Sequence, residues 1–135
     1  MTHNINQLNI DEVKIRALCE KHGIKLLVLH GSYAKGNATQ QSDIDIGILC
    51  NKNRKTFGGY SGIFNDFGEV FGDKFDPVFL NGAEPLISYQ TALHGLPLFQ
   101  ETEHTFADYK VQTIGRYHDT KKFRVLEKEY VQRSR

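Results

Sequence analysis

Gly31 and Ser32 form a pair, a glycine followed by a hydroxyl-bearing residue, that is typical of turns that bind phosphate. They follow a largely apolar run over 24–29 that predicts a buried strand, and a short helix is expected to begin at the serine. Backbone N–H groups and the helix dipole at such a turn favour a phosphate, glycine allows close approach, and the serine adds a donor. The alternative interpretation is a Gly-Ser turn that only begins a helix.

Asp43 and Asp45 bring carboxylate chemistry to a second predicted strand over 44–49. Residues two apart on a strand point to the same face, so the intervening Ile44 and the isoleucines that follow pack into the core. Gly47 continues the acidic face without a side chain, which predicts room beside the carboxylates. Mg²⁺ takes such oxygen ligands together with substrate phosphates. The alternative is a solvated strand face, which fits less well because aspartate is uncommon in strands.

A third carboxylate, Asp76, lies near the start of a third predicted strand over 75–80. Beside the first two, it can bind a metal or position and deprotonate a hydroxyl nucleophile. The alternative is a residue that caps the preceding turn. Asp66 and Asp73 compete for the role but lie in a predicted helix or loop. Lys35, one helical turn beyond the glycine, is either a phosphate contact or an exposed helical lysine.

The elements that must position these residues alternate between helix and strand, which predicts an α/β fold built on one small sheet. Asn9 and Glu12 predict a capping box for a first helix, with Val13 on its apolar face and Gly23 at its end. Pro77 lacks an N–H, so the third strand is expected to be distorted or to lie at a sheet edge. Further predictions are a helix over 63–71, a helix that begins at Pro85, a short edge strand at 98–99, and a helical segment over about 103–133 with a break or bend at Gly115.

Length and composition narrow the class of protein. The 135 residues predict one domain, 1–135, with its core over about 10–100. The 17 Lys and Arg against 16 Asp and Glu argue against a strongly basic nucleic-acid-binding domain. No apolar run approaches the ~20 residues that span a bilayer, and the first residues lack the features of a signal peptide. We therefore expect a cytoplasmic protein with no membrane or direct nucleic-acid partner.

Gly31-Ser32, ten residues and then Asp43-x-Asp45 resemble the Gly-Ser-x10-Asp-x-Asp signature of MNT-type minimal nucleotidyltransferases, within the polymerase-β-like superfamily. The resemblance extends through the Asp76 strand to about residue 100. It implies the nucleotidyltransferase fold, a small mixed sheet flanked by helices. It also implies that the Gly-Ser turn holds the triphosphate of ATP, that Asp43 and Asp45 bind Mg²⁺, and that Asp76 completes the catalytic and metal-binding triad.

The same resemblance implies a reaction and a partner. It implies transfer of AMP from ATP to a tyrosine hydroxyl of a HEPN-type toxin, so that the chain acts as the antitoxin. Two alternatives stay open: a non-catalytic antitoxin that covers its toxin, and an adenylyltransferase for a small molecule such as an aminoglycoside. The complete set of carboxylates disfavours the first. The short chain disfavours the second, because holding a small-molecule acceptor usually needs an added domain.

Overall fold

The protein is described by a computed structural model over residues 2–5, 8–51 and 59–133. Helices and strands alternate through most of this part of the chain, as the sequence predicts. In chain order the elements are β1 (Thr2–Ile5), β2 (Leu8–Asp11), α1 (Glu12–His22), β3 (Ile24–His30), α2 (Gly31–Lys35), β4 (Ile44–Cys50), α3 (Gly59–Phe71), β5 (Phe75–Phe79), α4 (Pro85–His94), β6 (Leu96–Gln100) and α5 (Thr105–Arg133).

Four strands form a mixed sheet in the order β5-β4-β3-β6. β3 is antiparallel to both β4 and β6, whereas β5 is parallel to β4. The predicted α/β fold with a small mixed sheet is confirmed, and the short strand expected at 98–99 is the edge strand β6. The hairpin of β1 and β2 is separate from this sheet, and the sequence patterns did not predict it.

The two faces of the sheet have different coverings. Ile44, Ile46 and Ile48 are buried on one face, as predicted, against side chains of α1 and α3 such as Ile15 and Phe67. On the opposite face α4 packs against β3 and against α5. Because side chains alternate along a strand, the residues of β4 between the isoleucines face this second side. The hydrophobic core therefore does not compete with the aspartates for space.

Two predictions about α1 are wrong. Its N-cap is Asp11, whose side chain accepts a hydrogen bond from the Lys14 backbone N–H at 3.2 Å, and not Asn9. Val13 is 64% exposed, because the face of α1 that packs on the core carries Ile15, Cys19 and His22. The predicted helix end is confirmed, since Gly23 has a left-handed φ of 64°.

Later elements follow the sequence more closely. Pro85 opens α4 at its first turn, and α5 covers the predicted C-terminal helical segment. Of the break or bend expected at Gly115, the break is wrong, because α5 runs through this residue as one helix. An isolated helical glycine costs only about 1 kcal/mol, which the rest of a 29-residue helix offsets. No helix in the described ranges is both long and apolar enough to span a bilayer.

Pro77 lies on an edge strand, as predicted. β5 pairs only with β4 within the described sheet. The backbone bonds from Ile44 N to Lys74 O and from Leu80 N to Ile48 O show that the even-numbered residues turn their backbone groups toward β4. The missing N–H of Pro77 therefore falls on the free edge, where no ladder bond is lost.

Candidate active site

Three side chains form a row across neighbouring strands at one end of the sheet. His30, the last residue of β3, pairs with Asp45 of β4, and Asp45 pairs with Asp76 of β5. Residues aligned on adjacent strands project from the same face and lie about 5 Å apart. The register thus brings together Asp45 and Asp76, which are 31 residues apart in the sequence. We call the carboxylates Asp45 and Asp76, together with Asp43 two residues before Asp45, the acidic row; His30 is its neighbour on β3.

The carboxyl groups of this row lie close enough to one another to repel when they are ionised. Burial, followed by the hydrogen bond to Asp76 and the charges of Asp76 and Asp43, raises the pKa of Asp45 to about 6. Asp43 and Asp76 are exposed, whereas Asp45 is half-buried. Like charges this close resist simultaneous ionisation, and a bound cation removes that conflict. The geometry therefore favours a cation between the carboxylates.

Gly31 lies directly against the acidic row. Its φ is +70°, a left-handed conformation, and a Cβ atom there would overlap Oδ2 of Asp45. No other residue fits this place without moving the carboxylate. The turn that the sequence singles out is therefore in contact with the predicted metal ligand. Ser32 is the next residue of α2, and Lys35 is exposed at the opposite end of this five-residue helix.

A hydrogen-bonded turn sets the position of Asp43. The Thr39 N–H donates to Oγ of Ser42 at 2.8 Å, and the Ser42 N–H donates to the Thr39 carbonyl at 3.1 Å. Immediately after Asp43, the Ile44 N–H donates to the Lys74 carbonyl at 2.7 Å. Asp43 is thus held between a closed turn and a bond of the sheet. These bonds fix the backbone of Asp43, while its side chain is exposed to water.

The space expected beside Gly47 is filled. A Cβ atom at Gly47 would lie 3.1 Å from Cδ1 of Leu80, and Leu80 is only 7% exposed. The reason is the register, since the Leu80 N–H donates to the Ile48 carbonyl and carries its side chain over the glycine. The prediction of open room there is wrong. Leu80 closes the face below Asp45, so the open part of the site lies toward the Gly31 turn.

The competing carboxylates lie outside the acidic row. Asp66 accepts hydrogen bonds from His22 Nε2 at 2.7 Å and Lys21 Nζ at 3.0 Å, which join α3 to α1. These two hydrogen bonds, with His22 the larger cause, lower the pKa of Asp66. Asp73 is exposed in the turn before β5. Asp66 is therefore a structural residue on the isoleucine side of the sheet.

The donor set of the row fits a hard cation. Among the described residues, no three His, Cys, Asp or Glu side chains converge closely enough to bind a metal by themselves. Asp45 and Asp76 are adjacent, however, and the charge of Asp43 acts on Asp45. Mg²⁺ typically takes one or two protein carboxylates and completes its shell with water and substrate phosphates. The residues present fit a Mg²⁺ ion that arrives with a nucleotide.

A groove of about 700 Å³ lies at the other end of the same sheet face. Leu49, Leu80, Tyr109 and Arg116 are among its lining residues, and none of the predicted site residues is. Leu49 is four residues along β4 from Asp45, about 13 Å at the rise of a strand. The groove is therefore separate from the acidic row.

His30 is a site residue that sequence reasoning missed. Its Nε2 atom is buried and has no hydrogen-bond partner in the described part of the chain. Burial lowers the pKa of His30, and the negative charge of Asp76 opposes this effect. The available signal was its place at the end of the strand, directly before Gly31.

A comparison with known families assigns a class to this mixed sheet, on which Gly31 lies against paired carboxylates. The model of the family "Polymerase beta, Nucleotidyltransferase" matches residues 13–104, more than half of the chain. The chain belongs to this family. The matched segment contains the whole acidic row and the Gly31 turn.

The chain is also similar to individual proteins and solved structures. Protein adenylyltransferase MntA of Aphanizomenon flos-aquae is 28% identical, with 76% of this chain and 75% of the relative covered. A crystal structure of a toxin–antitoxin with AMP-PNP matches with a TM-score of 0.72 and 24% identity, over 91% of this chain and 99% of the other. A structure of a tri-AMPylated Shewanella oneidensis HEPN toxin in complex with an MNT antitoxin matches with a TM-score of 0.65 and 23% identity. The match covers 90% of this chain and 95% of the other. These two structures share the fold of this chain.

Proposed function

We propose that the chain is an antitoxin that transfers AMP from ATP to a tyrosine hydroxyl of a cognate HEPN-type toxin. The observation that carries this proposal is the Asp45–Asp76 pair in contact with the Gly31 turn, inside the segment that matches the nucleotidyltransferase family. The adenylyltransferase relative and the AMPylated toxin bound to a fold neighbour support AMP as the transferred group and the toxin as the acceptor. ATP as substrate places the reaction in the cytoplasm.

The proposed reaction forms one bond and breaks one. The acceptor oxygen attacks the α-phosphorus of ATP, the bond to the pyrophosphate oxygen breaks, and Asp76 takes the hydroxyl proton. Gly31 and Ser32 hold the phosphates that leave, with Lys35 as a further phosphate contact. Asp43, Asp45 and Asp76 would hold Mg²⁺, which neutralises charge on the triphosphate and orients it. An AMP group on the toxin adds a bulky anion, which obstructs an RNA site and repels RNA phosphates.

The exposure of the site supports a protein acceptor. Asp43 and Asp76 are exposed in the described structure, so the acidic row lies on an open surface. An aminoglycoside would need walls around it to be held for transfer, because small-molecule sites enclose most of their ligand. A protein brings its own surface and can present a tyrosine to an open face. The antitoxin interpretation is therefore favoured over small-molecule transfer.

The experiment that tests the proposal is incubation of the chain with its toxin, ATP and Mg²⁺, followed by intact mass spectrometry of the toxin. We expect the toxin to gain whole AMP units and to stay inactive after the two proteins are separated. The double variant Asp43→Asn/Asp45→Asn should leave the toxin unmodified and active. Asp73→Asn/Asp119→Asn removes the same charge at exposed positions and is the matched control, which should behave as wild type.

The alternatives give different results in the same assay. Full protection by Asp43→Asn/Asp45→Asn without a change in toxin mass would establish an antitoxin that acts by covering. Transfer of AMP to an added aminoglycoside, with no change in the toxin, would establish the small-molecule enzyme.

A further inference from the structure

The unpartnered nitrogen of His30 needs a physical explanation. Nε2 of this residue is one of two buried side-chain polar atoms without a partner in the described structure; the other is Nδ1 of His22. The His22 ring is bound through its Nε2 to Asp66, which explains its place in the core. Buried polar groups almost always have partners, and an exception often marks a functional site.

The position of His30 points to the carboxylates. His30 is the cross-strand partner of Asp45 in the register of β3 and β4, and its ring lies within electrostatic reach of Asp76. A histidine ring carries at least one N–H donor in either protonation state. Because Nε2 is not accessible to water, a substrate cannot contact it directly. Its partner must therefore come from the protein.

We propose that His30 is a positioning residue for the acidic row, with Nε2–H donating to the Asp45 carboxylate when Asp45 and Asp76 bind a cation. The inference rests on the metal site of the proposed function. Asp45 lies between His30 and Asp76 in the register of the sheet. A carboxylate that binds a metal normally also accepts a hydrogen bond from the protein, which holds it in place. His30 is the residue paired with it, and its nitrogen has no other partner in the described chain.

Three variants distinguish the effect of the Nε2 donor from the effect of the size of the ring. His30→Phe keeps the ring size without a nitrogen, His30→Gln places an amide N–H near the position of Nε2, and His30→Asn places it near Nδ1. The probe is Mn²⁺ as a substitute for Mg²⁺, titrated into the chain in the presence of a non-hydrolysable ATP analogue and followed by electron paramagnetic resonance. Loss of a hydrogen bond to a metal ligand typically lowers metal affinity 10- to 100-fold. We expect about this loss in His30→Phe and His30→Asn, and near-wild-type affinity in His30→Gln.

The controls distinguish the possible failures. All three variants should keep the wild-type circular dichroism spectrum and melting temperature, and Asp45→Asn should abolish Mn²⁺ binding. If His30→Phe binds Mn²⁺ like wild type, the positioning role is wrong while the proposed function stands. If all three variants lose affinity and melting temperature equally, the ring is only structural. If the wild-type chain neither binds Mn²⁺ nor transfers AMP, the proposed function itself fails.

Discussion

Replacing Asp45 by asparagine should stabilise the metal-free protein while it abolishes AMP transfer. The carboxyl is half-buried beside Asp76, and these surroundings raise its pKa from 3.8 to about 6. Between about pH 4 and 6 the folded chain binds more protons than the unfolded chain, so the free energy of unfolding falls as the pH rises. Above this range the ionised carboxylate destabilises the fold. Asparagine removes that charge, and its amide N–H₂ can still donate to Asp76.

The size of the effect follows from the pKa. A rise from 3.8 to about 6 corresponds to at most about 3 kcal/mol. Because Asp45 is only half-buried, water screens much of this, and we expect about 1 kcal/mol to remain. For a chain of 135 residues this raises the melting temperature by about 3–5 °C. The gain should be present at pH 7 and vanish below about pH 3, where the wild-type carboxyl is protonated in both the folded and the unfolded chain.

The assay is thermal unfolding in EDTA at several pH values, with Asp73→Asn as the control. That variant removes one negative charge from an exposed turn and should leave the melting temperature nearly unchanged. With Mg²⁺ and ATP added, the wild-type chain should melt at a higher temperature than Asp45→Asn, because only the wild-type chain gains stability from these ligands. An Asp45→Asn variant that melts below wild type at pH 7 in EDTA would refute the reasoning about the carboxylate pair.

Three further predictions concern the turn and the helix contact. Gly31→Ala places a Cβ on Asp45 Oδ2 at a left-handed φ; we expect a lower melting temperature and no AMP transfer, and wild-type values for both would contradict the close contact. Ser32→Ala should weaken ATP binding at least about tenfold, as loss of a hydrogen bond to a charged group does, with unchanged melting; calorimetric titration measures this. Asp66 has a pKa lowered by its hydrogen bonds with His22 and Lys21, so it stabilises the fold above about pH 4 and loses this effect as the pH falls through its folded-state pKa. In urea unfolding, Asp66→Asn should therefore reduce the loss of stability in acid, and a wild-type pH profile would exclude this role.

The chemistry-bearing residues were predictable because their types and spacing are local. A glycine and serine after an apolar strand, and two aspartates that alternate with isoleucines, need no tertiary information to be identified. The register that places Asp76 beside Asp45 was only an expectation, because a parallel pairing between distant segments leaves no signal in either one. The conclusion that Asp76 lies in the row comes from the structure.

The features that the sequence did not predict correctly depend on how neighbouring elements are arranged. The sequence shows Gly47 without a side chain, but only the pairing of β4 with β5 reveals that Leu80 fills the space. Asn9 and Asp11 are both good capping residues, and the choice between them depends on where the preceding hairpin ends. The role of His30 could not be predicted, because burial of one ring nitrogen cannot be read from the residue type. The points missed at Gly47 and at His30 both concern contacts between elements.

The two faces of β4 separate the fold from the chemistry. Ile44, Ile46 and Ile48 belong to the core between the sheet and α1 and α3, whereas Asp45 projects to the other side beside Gly31. Loss of a carboxylate therefore removes no core contact, and relief of charge repulsion even favours folding. A folded variant without its metal ligands is available as a result. Such a variant can still bind a partner through the rest of its surface, so it separates transfer of AMP from simple covering of a toxin.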